Sequence, residues 1–391
     1  MPKVLRVLGI RWTPNFRHFR HSRHSRHFRH FRHYLMKKIL VFRLSAMGDV
    51  ALTVPVIRNV LETNSDLQIT LVTRPFFAPF FFGIPRLKLF FPDLDRKHKG
   101  LKGLYRLYRK LKQMGPYEEV VDLHSVLRTK IVSFLFSITG TPVYSINKGR
   151  NEKNRLIRTK KIRVLKHSIQ RYADTFIKGG IDARIGKAPY IDYSTEAFQS
   201  ARSFFLGKIP EKDYLKIGLS PFANTAPKIW GLENFKELIT LINQNHKAVF
   251  FLFGGGEKEI KLLKKFEEYS ENIHLVAGKF TLSEEIAMIR MLDLMIAMDS
   301  SNMHLASLSG IRTISVWGGT HPAFGFSAIG QPEEYHIQPP EGILTCRPCS
   351  VFGGKPCIYP TVRCMELIKA TDVYNKLVQL NVLNPKQKSG E

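Results

Sequence analysis

The feature that most constrains this chain is a rhythm: short apolar runs end in polar or glycine-containing loops, and helical spacing follows each one. Lys38–Arg43 (KILVFR) is the first run, Ser45–Asp49 (SAMGD) is its loop, and Val50–Leu61 carries apolar residues at helical intervals. A short run without polar alternation suits a parallel strand buried on both faces. Gln68–Thr73 and Tyr117–His124 repeat the pattern, and an apolar helix around Lys130–Ile138 follows the second of them. A further set comprises Tyr214–Ser220, Ala248–Phe253, Leu294–Met298 and Thr313–Trp317, with helices expected over about 232–245, 257–269, 282–292 and 302–309. A helix over about 363–381 closes the series. Strands alternating with helices imply parallel βαβ units and doubly wound sheets. The expectation is therefore α/β, with two Rossmann-like halves at 36–180 and 190–381 and a tail at 382–391. Ligands of such sheets bind beyond the carboxyl ends of the strands, so the cleft between two facing halves is the expected site.

Residues 1–35 stand outside this rhythm. Phe16–His33 reads FRH-FRH-SRH-SRH-FRH-FRH, and a period of three matches neither a buried helix face nor a strand. The segment also lacks the apolar run of about 7–15 residues that a secretory signal carries. It is expected to be a disordered basic extension, with Met36-Lys37-Lys38 opening the folded part. No window approaches the roughly 18 consecutive apolar residues of a membrane span, so a soluble or peripheral protein is expected.

Charge narrows the partners. A net charge of +28 favours anionic ones, whether nucleic acid, acidic lipid or phosphorylated glycan. Beyond the first 35 residues it concentrates in two stretches. Arg96–Lys112 carries eight Lys/Arg, and Lys148–Arg171 carries ten against the single acid Glu152. Each reads equally as a solvated helix face or as an anion-binding surface. Charge alone points to nucleic acid, but no recognisable reading motif accompanies it, so none is expected.

Several residues at strand ends could do chemistry. Asp299 follows an apolar strand and precedes a helix, which makes it a natural N-cap. The helix start behind it, with Ser300, Ser301 and His304 on its first turns, suits a phosphate group. Plain capping plus a buried histidine would produce the same residues. Lys228, in the loop Asn224–Trp230, is a compact charge able to neutralise a diphosphate. Gly254-Gly255-Gly256 follows another strand and precedes Glu257 and Glu259, though it is not a GxGxxG fingerprint. Asp49, after Gly48 at the mouth of the first strand, either caps its helix or accepts a proton from a substrate. Asp93-Leu94-Asp95 has the DxD form of metal-dependent transferases but sits in a basic loop away from these residues.

Two segments carry a family resemblance. KKILVFRLSAMGDVALTVPVIRNV resembles the N-terminus of glycosyltransferase family 9, the lipopolysaccharide heptosyltransferases, and MDSSNMHLASLSGIRTISVWGGTHP resembles that family's second signature. The match runs in order through most of residues 36–381. It implies a GT-B fold and an inverting transfer that requires no cofactor. Asp49 would be the general base, Lys228 would hold the donor diphosphate, and Asp299, Ser300, Ser301 and His304 would form the donor pocket. Glu257 or Glu259 would meet the ribose or base. The implied donor is ADP-heptose or a similar nucleotide sugar; Ser300-Ser301 departs from the usual Thr-Gly, and the bulkier Ser301 narrows the approach to the phosphate, which counts against ADP-heptose itself. The implied acceptor is an anionic glycolipid, and the implied location is cytoplasmic, peripheral to the cytoplasmic face of the inner membrane. A sugar-nucleotide epimerase or hydrolase of the same fold is the rival enzyme.

Two features remain. Cys346, Cys349, Cys357 and Cys364 fall within nineteen residues, a clustering compatible with a structural zinc and equally with reduced thiols. Phe76, Phe77, Phe80, Phe81 and Phe82, near Phe90 and Phe91, form either core or an amphipathic face against the inner-leaflet membrane surface.

Overall fold

The computed structural model describes residues 36–211 and 213–384, so the FRH segment lies outside the described residues. Each apolar run becomes a strand of one of two parallel sheets. The first sheet holds β1 (Lys37–Phe42), β2 (Leu67–Val72), β3 (Leu87–Phe90), β4 (Glu119–Asp122) and β5 (Val143–Ser145), in the order β3-β2-β1-β4-β5. The second holds β6 (Leu215–Ser220), β7 (Ala248–Leu252), β8 (Ile273–Leu275), β9 (Leu294–Met298), β10 (Arg312–Val316) and β11 (His336–Ile337), ordered β11-β10-β9-β6-β7-β8. Every pairing is parallel. Both orders follow the doubly wound pattern, with a switch point between β1 and β4 in one sheet and between β6 and β9 in the other. The α/β, GT-B expectation holds.

The central strands match the sequence reading because two buried faces demand continuous apolar residues. The strands that reading passed over, β3, β5, β8 and β11, are short and lie toward the sheet edges. Two expected helices are interrupted. Val50–Leu61 divides into Met47–Ala51 and Val54–Thr63, with Pro55 in the first turn of the second piece and the Thr53 hydroxyl donating to Val50 O at 2.6 Å. The helix expected over 363–381 breaks between Arg363–Glu366 and Ala370–Gln379, where the Trp230 indole N–H takes the Ile368 carbonyl at 2.7 Å. Val382 and Leu383, assigned by sequence to the tail, are buried in the second core.

The halves are not separately packed. One apolar core joins Ile39, Val41 and Val54 of the first half to Ile286, Met303 and Leu305 of the second. At the seam the Met47–Ala51 helix abuts the Ser301–Leu308 helix so closely that a Cβ on Gly48 would stand 2.7 Å from the His304 ring. Glycine is required there by the approach itself.

Candidate active site

The two switch points face one another across a cleft of about 610 Å³, within the range of small-molecule sites. The first sheet contributes Gly48 and Asp49 to its wall. The second contributes Lys228, Gly254–Gly256, Asp299–Asn302 and His304. The residues singled out by sequence therefore converge, with one exception. Glu257 is exposed in the first turn of its helix and is absent from the cleft wall; Glu259 lies on that wall, its Oε2 accepting the Gly255 N–H at 2.9 Å. Helical geometry explains the exchange, since two residues along a helix rotate a side chain to a different face.

Asp49 is presented by a frame that sequence reasoning missed. Arg43, at the end of β1, pairs with Asp49 Oδ2 at 2.6 Å and donates to the Leu123 carbonyl at 2.7 Å. The arginine side chain is 5% exposed and the Asp49 side chain 37%, so the cation is enclosed while the carboxylate opens to the cleft. The Tyr172 hydroxyl donates to the Asp49 carbonyl at 3.3 Å. His124, after β4, accepts the Leu44 N–H, and burial with Arg43 and Lys148 nearby pushes it down to about 4, so it is neutral.

Across the cleft, Asp299 does not cap the Ser301–Leu308 helix. Ser300 occupies the N-cap position without a side-chain cap bond, while Asp299 Oδ2 pairs with Lys228 Nζ at 2.8 Å and accepts the Thr320 hydroxyl at 2.8 Å. The Ser300 hydroxyl, His304 Nδ1 and the Thr225 hydroxyl are buried without hydrogen-bond partners among the described residues. Burial holds His304 at about 4, so the imidazole is neutral and keeps one N–H donor. Orphaned polar atoms around a helix N-terminus and a lysine form a cradle suited to phosphate oxygens.

A second cavity, of about 500 Å³, adjoins the first and shares Asp49, Phe326, Val351 and Phe352 with it. Lys148, Arg150, Lys153, Arg171 and Lys355 line it. The basic stretch 148–171 divides: Arg155, Arg158, Lys161 and Arg163 are exposed to solvent, whereas Lys153 and Arg171 are buried, with Lys153 Nζ 4.0 Å from the Phe326 ring centre and Arg171 paired with Glu152 at 2.9 Å. Burial together with Arg171 pushes the Lys153 amine down to about 8. Arg96–Lys112 does meet the helix reading, since Leu104, Leu107, Tyr108 and Leu111 of the Gly100–Met114 helix face the core. Asp93 accepts the Arg96 N–H at 3.0 Å, and neither Asp93 nor Asp95 lines the cleft.

A larger groove, of about 960 Å³, lies beside β11 along His336, Ile337 and Arg347, and it shares no lining residue with either cavity. The four cysteines are free thiols in the neighbouring segment, with Cys349 hydrogen-bonded to Cys346 and Cys364 buried. Among the described residues, no three His, Cys, Asp or Glu side chains are arranged to hold a metal ion. The cysteine segment shapes the site through its neighbours: Val351 and Phe352 line both cavities, and Lys160 donates to the Cys346 and Pro348 carbonyls at 2.8 Å.

Known proteins with this architecture bear on the chemistry. The lipopolysaccharide core heptosyltransferase OpsX of Haemophilus influenzae is 23% identical over 298 residues, covering 73% of this chain and 80% of that protein. Among solved structures, a family 9 glycosyl transferase from Veillonella parvula superposes with a TM-score of 0.69 at 19% identity, covering 89% of this chain and 98% of its own. The Escherichia coli heptosyltransferase WaaC with ADP gives 0.60 at 18% identity, covering 88% and 99%. These superpositions establish the shared fold. Residues 104–332 match the family model for glycosyltransferase family 9 (heptosyltransferase). The chain belongs to glycosyltransferase family 9, the heptosyltransferase family.

Proposed function

We propose that this protein transfers a heptose, with inversion, from ADP-heptose to a phosphorylated glycolipid of the lipopolysaccharide core type. The observation that carries this reading is the position of Asp49, shared between the phosphate-suited cleft and the basic cavity. A donor in the cleft directs its diphosphate at Lys228, Ser300 and the helix N-terminus. An acceptor whose anionic groups lie among Lys148, Arg150 and Lys153 brings its hydroxyl to Asp49. The hydroxyl oxygen bonds to the anomeric carbon as the bond to the diphosphate oxygen breaks on the opposite face. Asp49 takes the hydroxyl proton, and the electron pair of the broken bond leaves on ADP. Lys228 and the orphaned donors stabilise that charge without a metal. The names of the bacterial relatives support the sugar and the acceptor class.

The test is ADP release and glycolipid mass with purified protein, ADP-heptose and a lipopolysaccharide core acceptor. Asp49→Asn is expected to lower turnover by about 10²–10⁴-fold while ADP still binds. Turnover by the unsubstituted protein is expected to survive EDTA. Unchanged turnover in the variant would remove Asp49 as base, and loss in EDTA would overturn the metal-independent mechanism.

Peripheral attachment to the cytoplasmic face of the inner membrane is part of the proposal. Among the described residues no helix is long and apolar enough to cross a membrane. The phenylalanine run divides: Phe77, Phe80 and Phe81 are core, whereas Phe76, Phe82 and Phe91 are exposed. Exposed aromatics together with a basic amphipathic helix favour an anionic bilayer surface. Cosedimentation with vesicles containing anionic lipid should fall in a Phe82→Ser/Phe91→Ser variant; equal pelleting would overturn this face as the attachment site.

A further inference from the structure

Two segments at the basic cavity carry no carboxylate at all: Lys153–Ala173 and Gly342–Met365 contain neither Asp nor Glu. Packing joins them. Lys160, at the end of the Arg150–Thr159 helix, donates to the Cys346 and Pro348 carbonyls at 2.8 Å. Leu165 and Val351 share a small core with Leu156 and Phe324, and the Phe352 ring lies 5.4 Å from that of Phe326. Both segments are thus backed by buried contacts, yet each turns large apolar side chains to solvent. Ile162 and Val164 do so on the first, and Phe352, Ile358 and Tyr359 on the second. Val164 is 77% exposed and Ile358 75%, more than any of Phe76, Phe82 and Phe91. Beside them in sequence, Lys161, Arg163 and Lys355 are exposed and form no ion pair with any described residue. Single exposed apolar residues are ordinary, but a group of them interleaved with unpaired cations marks an interaction surface.

The cavity behind this surface identifies what covers it. Phe352, Gly354 and Lys355 line the cavity, so its wall runs directly into the exposed segment. A glycolipid whose anionic groups lie among Lys148, Arg150 and Lys153 has to carry its acyl chains out of that cavity, and here the chains meet apolar side chains instead of water. Apolar residues beside Lys and Arg also suit the boundary of a bilayer, where the former enter the acyl region and the latter stay level with the phosphates. Two other occupants fit less well. A second copy of the chain would bring the same acid-free positive surface, and like charges would repel. A soluble polyanion would account for the cations but would leave Val164 and Ile358 in water.

We propose that the 161–164 and 352–359 segments together form a docking surface for the anionic bilayer that anchors the acceptor, separate from Phe82 and Phe91. The inference rests on the acceptor reading above. Binding of the full chain to vesicles of phosphatidylcholine and phosphatidylglycerol in equal parts tests it. Val164→Ser/Ile358→Ser changes two exposed positions, so the variant should fold normally and bind these vesicles at least about tenfold more weakly. Its turnover on an acylated acceptor embedded in the vesicles should fall in parallel, while turnover on the deacylated acceptor in solution should stay the same. Equal vesicle affinity in the variant would overturn the proposal. So would equal binding of the unsubstituted protein to phosphatidylcholine alone, or an equal loss of turnover on the deacylated acceptor. A lipid-free dimer of the unsubstituted chain that the variant dissociates would assign the surface to a second copy and overturn it as well. Absence of turnover by the unsubstituted protein on either acceptor would overturn the transfer reading, and the vesicle comparison would still decide the surface.

Discussion

The two switch points carry the same chemical device with opposite orientation. Each holds a buried cation paired with an aspartate at under 3 Å: Arg43 with Asp49 in the first half, Lys228 with Asp299 in the second. In the first pair the cation is enclosed and the carboxylate reaches the cleft. In the second both side chains are nearly enclosed, at 11% and 8% exposure, and the Asp299 carboxylate also accepts a hydrogen bond from Thr320. Asp49 thus opens to the cleft, whereas Asp299 is used up inside the protein to hold Lys228 at the cleft wall. A motif containing a carboxylate does not say which partner the site will use; burial decides it.

Breaking each pair should expose this asymmetry. The largest effect on stability is expected from Asp299→Ala, which leaves Lys228 enclosed without its partner and should cost about 3–5 kcal/mol in urea unfolding. Asp49→Asn should cost less, about 1–2 kcal/mol, because its carboxylate is partly hydrated and the enclosed Arg43 still donates to the replacing amide and to the Leu123 carbonyl. Similar losses from both variants would refute the distinction.

A smaller effect sharpens the comparison by asking what a carboxyl does with no cation at all. Glu119, at the start of β4, is buried with Oε1 unpartnered, and burial pushes its carboxyl up to about 7. Between the ordinary value of 4.5 and about 7 the folded state holds the proton more tightly than the unfolded chain. Stability should therefore fall as pH rises through that window. Glu119→Gln removes the titration, so it should unfold at about the same urea concentration as the unsubstituted protein at pH 4. At pH 8 it should be more stable by about 1–3 kcal/mol. A pH-independent difference would show that ionisation of Glu119 is not its source.

Much of this molecule is legible in the chain because the signals are local. ILVF within KILVFR, AVFFLF and LMIAM are apolar on every residue, as a strand buried on both faces requires. The residues following those strands, Asp49, Gly254–Gly256, Asp299–Asn302 and His304, fall at the carboxyl edge of a parallel sheet, and all line the cleft. Tertiary structure decided how they are used. That Arg43 faces Asp49, that Asp299 serves Lys228 rather than its own helix, and that Lys153 and Arg171 turn inward depend on contacts with residues far along the chain. Periodicity reports which face of an element is buried; which charge meets which, and which is left for a ligand, is settled only by packing.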